Sequence, residues 1–137
     1  MIIEKSLTEG GQTETPTEDR IEGAASGISL FDEAELLENF DDDRDFAKSI
    51  LSDALSEIPK ELDRLIESCA KEECAAISDR AHTIKGMAGN LFTPALRDIA
   101  FNIEKAAKAG DLELVRGLMP EMEQTVQLTL EVIKAWR

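Results

Sequence analysis

From residue 28 onward, apolar side chains recur every three to four residues with few breaks, a spacing that buries one face of a helix. Leu36, Leu37 and Phe40 share one side of a short helix that Asp32 can cap. The run Asp41-Asp42-Asp43 interrupts it and offers an N-cap to a second helix over 43–69, with Phe46, Ile50, Leu51, Leu55, Ile58, Leu62, Leu65 and Ile66 as its apolar face. Pro59 lies inside that stretch, so a kink or a split is expected there. A third helix over 72–90 carries Ile77, Ala81, Ile84, Ala88 and Leu91. Thr93-Pro94 reads as an N-cap followed by proline at the first helical position, opening a fourth helix to about 109 with Leu96, Ile99, Ala100, Ile103 and Ala107 inward. Gly110-Asp111 closes it and caps a fifth over 112–135, which Gly117 and Pro120 are placed to bend. No segment alternates with a period of two, and no internal repeat is present. The expected fold is all-α: an antiparallel up-and-down four-helix bundle with the short first helix as an N-terminal lid.

The chain has 137 residues, enough for one domain and a tail. Residues 1–27 are rich in Thr, Glu, Gly and Ser with few large apolar side chains; they cannot repay their ordering entropy and read as a flexible tail before a bundle domain over 28–137. The formal net charge is −14 and unevenly spread: 29–70 carries thirteen acids against four bases, whereas 71–91 balances at three against three. Such a chain is repelled by phosphate backbones and anionic lipid, which argues against nucleic-acid and membrane binding. Cys69 and Cys74 are expected as buried or half-buried free thiols, since a zinc site or disulfide framework needs more ligands at better spacing. Residues 1–11 lack a basic region followed by an apolar run, so a cytoplasmic location is expected.

One histidine stands out. On a wheel at about 100° per residue with His82 at zero, the third helix's apolar stripe falls between about 180° and 260°. Lys85, Gly86 and Gly89 fall near 300°, 40° and 340°, so they share with His82 the face opposite the core. That placement exposes the ring and makes a buried structural role a poor explanation. Each glycine costs roughly 1 kcal/mol relative to alanine in a helix interior. Neither is on the core stripe, so side-chain-free ground one turn past His82 makes sense if something bulky must approach the ring. A neutral imidazole nitrogen is a competent phosphoryl acceptor near neutral pH, and Lys85 can set an ammonium near phosphoryl oxygens.

The run Ala81-His82-Thr83-Ile84-Lys85-Gly86, followed by Gly89-Asn90-Leu91, resembles the signature of the histidine-containing phosphotransfer (HPt) family, in which His-x-x-Lys-Gly surrounds the phosphoacceptor. The resemblance runs over roughly 30–136 and takes in Ile103-Glu104-Lys105-Ala106 and the Gly110-Asp111 break. It implies that His82 carries the phosphoryl group on Nε2 and that Lys85 helps neutralise it. Gly86 and Gly89 would leave room for a partner's active site. Glu104 matches the position where relatives hold the other ring nitrogen with Gln or Glu, and Lys108 is a candidate for a second positive charge. From the residues alone, Glu104 and Lys108 also read as a solvated i,i+4 ion pair. Relatives commonly place a glycine ten residues after the histidine; here it is Phe92, and the Thr93-Pro94 start is expected to rebuild the turn differently.

The function implied is relay of a phosphoryl group from a phospho-Asp receiver domain to another receiver in two-component signalling. The partners implied are response-regulator receiver domains, with a hybrid sensor histidine kinase as a further candidate, and a monomer is expected. No cofactor is expected in the chain, Mg²⁺ belonging to the receiver. The sequence has no Gly-rich nucleotide loop, so autonomous phosphorylation from ATP is not expected and the chain reads as a carrier rather than an enzyme. A di-iron bundle needs paired carboxylate–histidine motifs, which one histidine cannot supply. The alternative is a non-phosphorylated scaffold or kinase-inhibitor module on the same bundle. Phe92, Met87, Leu91 and the exposed edge of the first helix are candidates for a docking surface around His82.

Overall fold

The computed structural model describes residues 29–136; the tail expected over 1–27 lies outside them, as do 28 and 137. Five helices follow one another: α1 (Glu33–Asn39), α2 (Arg44–Ala70), α3 (Cys74–Leu91), α4 (Pro94–Lys108) and α5 (Leu112–Trp136), with no strand among the described residues. The turns obey the local chemistry of their residues. Asp32 Oδ1 accepts from the Glu35 N–H at 3.1 Å, Asp43 Oδ1 from Phe46 at 3.0 Å and Asp111 Oδ1 from Leu114 at 3.0 Å, so three helix starts carry the expected caps. Gly110 takes a φ of +73°, which a glycine adopts without strain.

Neither long helix is split at its proline. α2 runs unbroken through Pro59 and α5 through Gly117 and Pro120. α3 begins at Cys74 rather than at 72, because Glu72 sits at a φ of +58° and ends the preceding turn. Thr93 stands before α4, but its hydroxyl does not cap that helix; it donates back to the Ala88 carbonyl at 3.1 Å and helps close α3.

α2 and α4 each pack on both α3 and α5, and α1 lies against α2. The α3 stripe is the expected one: Ile77, Ala81, Ile84, Ala88 and Leu91 are all buried. The α2 stripe is rotated. Its buried line is Ala47, Leu51, Ala54, Ile58, Glu61, Leu65 and Ser68, whereas Phe46 and Ile66 are exposed and Ile50, Leu55 and Leu62 flank the core. That line alternates steps of four and three, the spacing of a packed helix seam, and its small residues let neighbouring helices approach. Phe46 instead meets the Phe40 ring edge-on, with centroids 5.1 Å apart. The α3–α4 turn is tied to the start of the described chain by Asp32 N–H to the Phe92 carbonyl at 2.8 Å and Ala95 N–H to Ser29 at 3.0 Å. Cys69 and Cys74 are free and half-buried, and burial pushes the Cys69 thiol up against the opposing pull of Arg116. None of the described helices is long and apolar enough to cross a membrane.

Candidate functional site

α3 presents His82 to solvent, with its side chain 66% exposed, as the wheel requires. Its Nδ1 lies 3.0 Å from Oε2 of Glu104 on α4, a contact spanning 22 positions of sequence. Glu104 is no solvated surface acid. It is 3% exposed, lying on the flank of the α4 stripe where α3 covers it. Lys85 Nζ reaches its Oε1 at 3.0 Å, and Lys108 Nζ, one turn on along α4, its Oε2 at 3.1 Å. The sequence-predicted residues His82, Lys85, Glu104 and Lys108 therefore meet at one carboxylate.

The electrostatics follow from that meeting. Burial pushes the Glu104 carboxyl up, but hydrogen bonds from Lys85, Lys108 and His82 outweigh it and hold the group down at about 2. At neutral pH Glu104 is ionised and can only accept hydrogen bonds, so the Nδ1 it faces is the ring nitrogen that carries the proton. The lone pair of the neutral ring is then on Nε2. A carboxylate behind one nitrogen and a free lone pair on the other describe an oriented nucleophile.

A match to the Hpt domain family model covers residues 49–136 and includes every residue of this cluster. The chain belongs to the Hpt domain family. A comparison with curated proteins finds no match. Among solved structures, the histidine-containing phosphotransfer protein B (HptB) from Pseudomonas aeruginosa PAO1 is similar in fold, with a TM-score of 0.72 at 20% identity over 77% of this chain and 92% of that one. The Hpt match begins inside α2, leaving α1 outside the matched span.

The ground around this Hpt histidine is open. Among the described residues, a Cβ built on Gly86 or on Gly89 meets nothing within 4 Å, so no contact there requires glycine at either position. Gly86 is exposed and Gly89 half-buried. Among the expected docking residues, Leu91 is core, while Met87 and Phe92 are half-buried against it. At the turn, the Thr93 N–H and hydroxyl both donate to the Ala88 carbonyl, at 3.0 and 3.1 Å. Phe92 itself ends α3 in the left-handed region, at φ +58° and ψ +48°, where glycine is at ease and a side chain is strained.

One residue at the site escapes the sequence patterns used above. Phe101 on α4 is 43% exposed, and its ring centroid lies 4.8 Å from Lys85 Nζ and 4.5 Å from Lys105 Nζ. The signal was available: with Leu96 at zero, Phe101 falls near 140° on the α4 wheel, opposite the apolar stripe. A large aromatic there lies off the stripe that α4 packs into the core.

Proposed function

We propose that this Hpt chain is a phosphocarrier that accepts a phosphoryl group on His82 from the phospho-Asp of one receiver domain and relays it to another. The observation that carries the reading is the buried, ionised Glu104 on Nδ1 of an exposed histidine. In the forward step the Nε2 lone pair attacks phosphorus. The N–P bond forms, the P–O bond to the aspartyl carboxylate breaks, and the carboxylate leaves with the electron pair. The ring gains positive charge, which the Glu104 carboxylate offsets through the Nδ1–H. Lys85 and Lys108, held at Glu104 before transfer, would offer their ammonium charges to the incoming phosphoryl oxygens.

The remaining machinery belongs to the partner in this reading: a receiver supplies the aspartyl phosphate and its Mg²⁺, and Gly86 and Gly89 admit its active-site rim. A hybrid sensor histidine kinase is a second candidate partner. The chain itself acts as a cytoplasmic monomer without an ATP site, and the helices that close a ring of contacts form an antiparallel up-and-down four-helix bundle with α1 as a lid.

A phosphorylated cognate receiver is expected to label the protein, with an acid-labile, alkali-stable adduct, and His82→Gln is expected to abolish the label. Labelling that survives His82→Gln overturns the assignment. Tight receiver or kinase binding with no label on the wild type establishes the scaffold alternative instead.

A further inference from the structure

Among the described residues, four large apolar side chains are left open: Phe46, Ile66, Phe101 and Leu114. Phe46 has the Phe40 ring as a partner, but Phe101 faces two ammonium groups. We propose that Phe101 is a positioning residue for phosphoryl transfer: its ring holds the Lys85 ammonium in place beside Glu104 and His82. The inference rests on the phosphocarrier reading of His82.

The argument starts from the lysine. A lysine on an open helix face samples many rotamers, and its charge is diffuse in position. Lys85 is constrained instead: its side chain is 28% exposed, with the ammonium 3.0 Å from Glu104 Oε1 and 4.8 Å from the centre of the Phe101 ring. The two anchors differ in kind. A phosphoryl group arriving on Nε2 competes with Glu104 for the ammonium, because both are anionic. It does not displace the ring, whose attraction comes from its quadrupole. Phe101 therefore keeps the ammonium near the histidine while the Glu104 contact is exchanged for one to phosphoryl oxygen.

The setting adds a dependence on docking. Lys85, Arg97, Asp98 and Phe101 line a shallow hollow of about 160 Å³. A partner covering it removes water from the ring, and cation–π attraction strengthens when desolvated. Lys105 shares the ring at 4.5 Å but is exposed and forms no ion pair with Glu104, so it serves as the control.

The test is a double-mutant cycle read as kcat and KM for transfer from a phosphorylated receiver, together with NMR of the Lys85 side chain in the unphosphorylated protein. Phe101→Leu is expected to lower kcat about two- to fivefold, the scale of one exposed cation–π contact, and Phe101→Trp to restore it. In a Lys85→Ala background Phe101→Leu is expected to change kcat no further, and Lys85 Hε signals are expected to lose a ring-current shift in Phe101→Leu. An effect confined to KM, an equal loss in the Lys85→Ala background, unmoved Lys85 signals, or the same loss from Lys105→Ala each overturns the proposal. Absence of label on the wild type overturns the phosphocarrier reading and this role with it, and is told apart because it precedes any variant.

Discussion

At the scale of single residues, Glu104 organises the site. Its carboxylate collects one imidazole and two ammonium groups at 3.0–3.1 Å, which is why burial does not neutralise it. The folded state favours the ionised form, since the group is held at about 2 against an ordinary 4.5. The stabilisation is therefore fully present above about pH 4.5 and is lost as pH falls through about 2. Urea midpoints measured down that range are expected to fall further for the wild type than for Glu104→Gln, which has no charge to lose. Equal falls in the two proteins contradict an ionised Glu104. The same substitution leaves an amide oxygen able to accept the Nδ1–H, so transfer is expected to survive it better than Glu104→Leu, which frees the ring.

At the scale of helices, the end of α3 is the informative place. Phe92 adopts a left-handed conformation that disfavours L-residues by roughly 1–2 kcal/mol. Its half-buried ring packs against the core and borders Glu35, Glu38 and Asn39 of α1, which offsets the strain. Removing the ring separates the two effects. Phe92→Ala keeps the strained backbone and loses the packing, whereas Phe92→Gly loses the packing but relieves the strain. Chemical denaturation is expected to rank Phe92→Gly above Phe92→Ala by about 1 kcal/mol, the reverse of their order inside a helix. An alanine variant as stable as the glycine one would exclude the left-handed turn. The helix caps were legible beforehand because an Asp side chain meets a backbone N–H three residues on, but the α2 stripe was not. Phe46 and Ile66 read as inward by hydrophobicity, and only packing against α3 and α5 selected the line through Ala47 and Ala54.

At the scale of the whole molecule, stability and function part company at Gly86. An exposed glycine inside α3 weakens the helix, and a Cβ there meets no atom of the described residues. Gly86→Ala is expected to stabilise the fold by about 0.5–1 kcal/mol in thermal or urea unfolding. It is also expected to slow transfer from a receiver, because in the proposed docking the added methyl would face the partner. Faster or unchanged transfer would remove the docking role given to this face. A bundle of this kind can carry open ground on one helix because its core is complete without it: Ile77, Ala81, Ile84 and Ala88 bury the opposite side of α3 entirely.

The sequence by itself determined the five helices, most of their caps and the solvent face of His82. Each of these depends on residues within a turn or two of one another, where period and hydrogen-bond reach suffice. It also brought Glu104 and Lys108 into view, through a family pattern rather than through spacing. Only the tertiary structure decided that Glu104 is buried and held ionised, that Lys85 is pinned between it and Phe101, and that His82 turns Nδ1 toward the carboxylate. Those facts arise where α3 meets α4, between groups 16 to 22 positions apart, and a contact across two helices leaves no periodic trace in either one.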